Sequence, residues 1–395
     1  MSSKVHISVI SLTAVMDSLM DIPVDFEQSL IEFSTSLYKG LNKAESVCLS
    51  PYSITAALLL VMIGASGRSK EQITSALFQN SLYSEEQQLK FYKSLHNQLT
   101  QRAGVNVSFS SANRLFVSDQ FTVFQNVQEN AKRYFGAEIS VKDFTKSEAS
   151  ANEMNNWVSE QTNGKIEDLI KKDWLNQNTV MFIINAVYFK ATWKRQFPPQ
   201  NTQKENFYLP NNKTIEVEMM NNEMIFPYFR GMDFSAIALP FKGGNFDMVF
   251  ISPNEKHGLP KIEAKITPKF FSDISAGFFK TFLSISIPKF KLQTEFDLTK
   301  ELPKLGVKDI FDEVKANFSN LIVERRGGLY VDVAVHKSVF NVNEAGVEGA
   351  AATAFGMPLR SIPIQFKANK PFLFYVRDIK SGLILFIGRF HPQVN

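Results

Sequence analysis

The chain has 395 residues, of which 44% are hydrophobic and 21% charged, with a net charge of +4. That length and composition suit a globular protein with a large core, in one big domain or two ordinary ones. So mild a positive balance, with no clustered basic patch, leaves no footprint for nucleic acid, and the single cysteine, Cys48, rules out an intramolecular disulfide.

At the N-terminus Lys4 precedes residues 7–16, a modestly apolar run diluted by Ser and Thr. It is too short to span a membrane and no small-x-small cleavage site follows, so residues 1–25 read as an extension or a weak signal-like segment. Phe26, Leu30, Phe33 and Leu37 recur at helical spacing and predict a helix over 26–40 that stops at a glycine. Cys48, in the apolar context VCLSPYS, reads as a buried small hydrophobe. Residues 53–63 (SITAALLLVMI) are apolar nearly all round and predict a buried helix. Surface helices are expected over 85–99, 124–134 and 152–162, the last ended by Gly164.

The second half changes character. Runs rich in β-branched and aromatic residues predict strands over 179–190, 236–240, 247–252, 281–291, 329–343, 372–377 and 383–390. Several are continuously apolar, the pattern of sheets covered on both faces. Helices first and strands later indicate an α+β fold with large antiparallel or mixed sheets.

One stretch stands apart, GVEGAAATAFGMPLRS over 346–361. Read at period two, one face carries Val347, Gly349, Ala351, Thr353, Phe355 and Met357, and the other Glu348, Ala350, Ala352, Ala354 and Gly356. The first face holds no charge, so the segment suits a strand buried on that side. Pro358 and Pro363 oppose regular structure and suit an exposed, extended loop. The competing reading is an Ala-rich helix followed by a linker. Gly346, Gly349 and Gly356 count against that helix, at about 1 kcal/mol each relative to alanine. Arg360 is the only Lys or Arg between Lys337 and Lys367.

Signatures of catalysis are missing. The chain has no G-x-S-x-G, H-E-x-x-H, Walker A or G-x-G-x-x-G pattern. Ser286 and Lys289 fit S-x-x-K, but within a strand pattern and with no companion motif. The five histidines, His6, His96, His257, His336 and His391, show no metal-ligand spacing, so no metal or other cofactor is expected.

Outward from the alanine run, the chain resembles the serpins. VNEAGVEGAAATA (342–354) is similar to the family's hinge pattern, and NAVYFKATWKRQF (185–197) to its Asn-Ala-x-Tyr-Phe-Lys-Gly-x-Trp strand. NNWVSEQTNGKIEDLI (155–170) and LSPYSITAALLLVMIGASG (49–67) resemble two of its helical signatures. KPFLFYVRD (370–378) and LFIGRFHP (385–392) resemble its C-terminal ones. Each is moderately specific alone, and six in order are very specific. The resemblance covers roughly 26–393 and implies one serpin domain there, with three β-sheets, eight or nine helices and an exposed reactive loop at about 344–363.

The same resemblance implies a function, and an inhibitor rather than an enzyme. A serine protease attacks the loop, forms an acyl-enzyme, and is trapped when the cut loop inserts as a new strand of the main sheet. The implied hinge is Glu344, Gly346, Val347, Glu348, Gly349, Ala350, Ala351, Ala352 and Thr353. Counting by the family's loop length puts the reactive bond at Arg360-Ser361, flanked by Met357, Pro358, Leu359 and Ile362. Arginine before the bond suits a trypsin-like enzyme, and Leu359 is the alternative cut site. Ser50, Ser53, Asn185 and His336 fall on a polar cluster called the shutter; Trp193 and Lys289 fall on the breach, with Lys289 facing Glu344. Ala345 stands where an acidic residue is common and Gly349 where alanine is usual; the glycine loosens the strand and favours plain cleavage. A non-inhibitory carrier or chaperone on the same fold is therefore the alternative.

The implied partner is a trypsin-like serine protease, met by a monomer. The helix over 84–104 holds only Lys90, Lys93, His96 and Arg102, interrupted by acids and amides, which argues against glycosaminoglycan binding. Most family members are extracellular. A cytoplasmic location is the alternative, because Met16-Asp17-Ser18 resembles the start of intracellular members.

Overall fold

A computed structural model describes residues 20–41, 45–79, 82–324, 328–347 and 362–393. Helix α1 (Val24–Gly40) buries Phe26, Leu30, Phe33 and Leu37 on one stripe, as their spacing requires. Strand β1 (Val47–Leu49) leads into α2 (Pro51–Met62). Ser50 caps α2 by accepting a hydrogen bond from the Ser53 N–H, and Pro51 occupies its first turn, where no N–H is needed. Residues 53–62 of α2 are all buried, so this helix is a central pillar. Next come α3 (Gly67–Phe78), α4 (Glu85–Ala103) with a Ser84/Gln87 capping box, β2 (Val107–Ser118), α5 (Gln125–Phe135) and β3 (Glu138–Lys142). Helix α6 (Ser147–Gln161) and strand β4 (Met181–Thr192) close the first half.

Strands β5 (Gln203–Tyr208), β6 (Thr214–Arg230), β7 (Phe234–Pro240) and β8 (Phe246–Pro253) open the second half. Helices α7 (Leu259–Ala264) and α8 (Pro268–Ala276) follow, then β9 (Phe279–Pro288), β10 (Phe290–Asp297) and the short α9 (Leu298–Glu301). Last come β11 (Val333–Asn343), β12 (Gly346–Val347), β13 (Ile364–Lys367), β14 (Phe372–Asp378) and β15 (Ile384–Phe390). The single strand expected over 281–291 is two, broken at Lys289, whose N–H turns aside to the Glu218 carbonyl. Residues 329–332 are not strand, and α6 begins five residues earlier than its apolar spacing suggested.

The fold is α+β, with nine α-helices among the described residues. Their strands form two hydrogen-bonded sheets. The larger runs β1-β15-β14-β8-β7-β6-β9-β13, with β5 also on β6. Its 17-residue β6 continues through it and joins what the resemblance counts as two sheets. The smaller runs β10-β11-β12-β4-β2-β3. One face of this smaller sheet, with Ile183, Val187, Phe189, Phe340 and Val342, packs on the main core. The other, with Phe182, Ile184, Ala186, Tyr188, Val335 and Val339, lies under Met154 and Val158 of α6. Both faces are covered, which is why β4 is apolar on both sides apart from buried Asn185 and the exposed Lys190 near its end.

Candidate functional site

The smaller sheet has an unusual centre. Strands β4 and β11 run parallel and pair directly from Phe182↔Val333 to Tyr188↔Val339. Above that point the short β12 lies between them, antiparallel to both. Val347 stands opposite Val342 and Ala191, and Gly346 opposite Asn343 and Thr192. The chain thus leaves β11, turns over Glu344-Ala345 and enters a slot between β11 and β4. Val347 is fully buried there. Gly346 has φ +151, and a Cβ on it would lie 2.1 Å from the Ala191 carbonyl oxygen and 2.8 Å from the Thr192 Cα. Only glycine lets the backbone pass so close.

Side chains hold the mouth of the slot. The Phe197 N–H donates to the Glu344 carbonyl at 2.9 Å and the Trp193 N–H to the Ala345 carbonyl at 3.0 Å. Gln196 Nε2 donates to the same Ala345 oxygen at 3.0 Å, and Trp193 Nε1 to the Asn343 carbonyl at 3.0 Å. The Trp193 ring is buried and stacks on Phe241 with centroids 4.8 Å apart. Glu344 accepts from Thr202 Oγ1 at 2.9 Å and lies 3.5 Å from the Lys289 ammonium. Burial works against the Glu344 charge. Hydrogen bonds from its own backbone N–H and from Thr202, with the Lys289 charge, outweigh that and hold the carboxyl below its usual range. Glu344 and Lys289, which the resemblance paired, and Trp193, which it put beside them, meet here. Lys289 is 38% exposed, so its pair with Glu344 contributes at most about 1 kcal/mol.

The middle of the slot is closed by a buried polar cluster. The Ser50 N–H donates to His336 Nε2 at 3.3 Å, so the ring proton sits on Nδ1 and points to Asn185 Oδ1. That bond crosses directly from β11 to β4. Asn185 Nδ2 in turn donates to Ser53 Oγ at 2.8 Å, to the Ser53 carbonyl at 2.9 Å and to Asn113 Oδ1. Ser50 Oγ donates to the Leu385 carbonyl at 2.7 Å. Burial disfavours the imidazolium and pushes the His336 pKa down to about 3. Ser50, Ser53, Asn185 and His336 are all brought together. Ser111, 3.0 Å from Ser53 Oγ, and Asn113 join them from β2 and were not singled out from the sequence. Their signal was the polar run SFSSAN inside β2, which also hid that strand.

Of the sequence-marked hinge, Glu344, Gly346 and Val347 are placed. Glu348, Gly349, Ala350, Ala351, Ala352 and Thr353 lie outside the described residues, as do Met357, Pro358, Leu359 and the bond Arg360-Ser361. Ile362, just beyond, is 95% exposed. Ser286 and Lys289 do not form a catalytic pair: Ser286 Oγ donates to Asn221 at 2.5 Å while Lys289 turns to Glu344. On α4, Lys90 pairs with Glu86 at 2.7 Å and Arg102 with Asp378 at 3.0 Å. Cys48 is buried, and burial pushes its thiol pKa up, away from thiolate chemistry. Among the described residues no group of His, Cys, Asp and Glu is arranged to hold a metal ion.

Residues 28–392 match the family profile described as serpin (serine protease inhibitor). The chain is 33% identical to human antithrombin-III over 369 residues, which covers 90% of this chain and 79% of that one. It is 31% identical to the leukocyte elastase inhibitor of the horse, Equus caballus, over 91% of this chain and 97% of that one. Among solved structures, Serpin48, described as a highly specific serpin in the insect Tenebrio molitor, superposes with a TM-score of 0.84 at 33% identity. That likeness covers 94% of this chain and 98% of Serpin48. The short strand β12 between β4 and β11 thus lies in a chain whose match to one family is nearly end to end, and the chain belongs to the serpins.

Proposed function

We propose that this serpin inhibits a trypsin-like serine protease as a suicide substrate cut at Arg360-Ser361. The observation that carries the reading is β12, two residues of loop already seated between β4 and β11. Continuing its register downward sets Gly349 against Phe340 and Phe189, Ala351 against Ser338 and Val187, and Thr353 against His336 and Asn185. The uncharged face of the loop would then enter the core, and Glu348 would point to the α6 side. No charge is buried on the way, which otherwise costs several kcal/mol.

The same register supplies the driving force. Insertion exchanges seven directly opposed parallel positions of β4 and β11 for two antiparallel ladders, one on each side of the new strand. It also removes the small apolar side chains of the loop from water. Cleavage frees the loop end, insertion carries the acylated protease with it, and hydrolysis is outrun. Arg360 fits a trypsin-type specificity pocket because a pocket carboxylate pairs with guanidinium. Inhibition of a serine protease agrees with a relative named as an elastase inhibitor.

The test is to mix the protein with trypsin at equal molar ratio and analyse the products on a denaturing gel with mass spectrometry. A complex that survives SDS, with a released peptide beginning at Ser361, is expected, and Arg360→Ala should abolish both. Clean cleavage with no complex would move the protein to the non-inhibitory alternative; a peptide beginning elsewhere would move the bond.

A further inference from the structure

We propose that Asn343 sets the register in which the loop strand enters the sheet. This rests on the insertion reading above and deepens it. Asn343 is the last residue of β11, and Glu344-Ala345 is a two-residue turn into β12. The Asn343 side-chain Oδ1 accepts from the Ala345 N–H at 3.0 Å and from the Gly346 N–H at 3.2 Å. Its main-chain oxygen is occupied by Trp193 Nε1 at 3.0 Å. One side chain therefore binds the N–H of the second turn residue and that of the first residue of β12, while its backbone is tied to a buried indole.

Turn length and geometry fix hairpin register, and a slip of one residue flips every side chain to the opposite face. Here the stakes of a slip are specific. In the observed register Val347 faces the core opposite Val342 and Ala191. A turn longer or shorter by one residue would send Val347 toward α6 and Glu348 into the core. The later loop residues, Ala350, Ala351 and Ala352, are too small and too alike to correct the error. Register must therefore be set at the top of the slot, before the bulk of the strand arrives. Gly346 supports the choice but does not make it, because glycine fits many turns. Asn343 is the group that selects this one. It is a positioning residue and touches no reacting atom.

The experiment compares Asn343→Leu, similar in size but with no acceptor, and Asn343→Asp, which keeps the acceptor. Each is incubated with trypsin at several molar ratios, and the ratio of cleaved product to SDS-stable complex is read alongside the melting temperature of the uncut protein. N343L should give at least roughly fivefold more cleaved product per complex, since it removes two hydrogen bonds and one alone is worth about that factor. N343D should stay within about twofold of wild type, because it can accept the same bonds. If N343L does not fold, Asn343→Ala supplies the same reading. Wild-type partition in the acceptor-less variant, even with a lowered melting temperature, would make Asn343 a folding residue only and overturn the inference. A wild-type protein that forms no complex would instead overturn the inhibitory reading on which the inference stands.

Discussion

The two ends of the slot between β4 and β11 are built oppositely. At the top the strands are held apart and the gap is filled by Gly346 and Val347, with three backbone carbonyls anchored by the 193–197 segment. In the middle the strands are in direct contact and bolted across by His336 and Asn185. The top holds a short strand between them, and the middle holds none. On the proposed mechanism the difference would poise the sheet without letting it react: entry would be prepared where the 193–197 segment grips backbone, and progress blocked where buried polar groups satisfy one another. Breaking the His336–Asn185 bond before Thr353 arrives would leave buried groups unpaired, at about 1–3 kcal/mol each.

Changes to the two residues that fill the top should have the largest effects. Val347→Arg would place an unpaired charge in a fully buried position, costing several kcal/mol in the inserted state. The intact protein can let the hinge stand out of the sheet instead. Its melting temperature should therefore change little, while trypsin cuts the loop and is released; undiminished complex formation would show that Val347 need not enter. Gly346→Ala should also expel the hinge, since the new Cβ meets backbone atoms that cannot yield, with strain on the order of 1–3 kcal/mol. Loss of the Asn343 and Ala345 contacts to Trp193 should then alter tryptophan fluorescence in the uncut protein.

The middle of the slot can be probed by pH. His336 has its pKa lowered from 6.5 to about 3 by burial. Above pH 6.5 both folded and unfolded chains hold it neutral and it imposes no penalty. Between 6.5 and 3 only the unfolded chain takes up the proton, so stability is lost as pH falls, by up to about 1.4 kcal/mol per pH unit. His96 and His391 are shifted the same way by burial, so the readout is the difference between wild type and His336→Gln. The variant should unfold in urea with a shallower dependence on pH over that window. Smallest of all should be Lys289→Ala at the mouth. Its partner Glu344 keeps Thr202 and its own N–H, so a loss of no more than about 1 kcal/mol is expected, fading with salt.

How much of this was legible in the sequence differs between the same two regions. Helices α1 and α2 and strands β4, β8, β14 and β15 follow from apolar spacing alone, because tertiary packing there demands what the pattern announces. Strand β2 did not, since Ser111 and Asn113 bond to Ser53 and Asn185 instead of adding apolar side chains to the core, and so break the alternation. Strand β6 was missed for a related reason: EVEMMNNEM is half exposed and mostly polar. The break at Lys289 comes from a backbone bond to Glu218, which no local pattern signals. At the site, the charge-free face of the loop could be read directly; Val347, its first residue, is fully buried, and the rest of that face lies outside the described residues. Trp193, Lys289 and the shutter residues were marked only through resemblance, since the residues that form each cluster are scattered along the chain. Asn343 stood in plain view within VNEAGVEGAAATA, yet its role depends on a turn that only coordinates reveal.

The most direct measurement is thermal unfolding of the intact protein beside the same protein nicked within residues 348–361 by a catalytic amount of a thiol protease such as papain, which forms no stable acyl complex with it, and then freed of that protease. If the slot accepts the loop, the nicked protein gains a strand, two new ladders and a filled sheet, and it should melt well above the intact form. Equal or lower melting of the nicked protein, with cleavage confirmed by mass, would contradict insertion between β4 and β11.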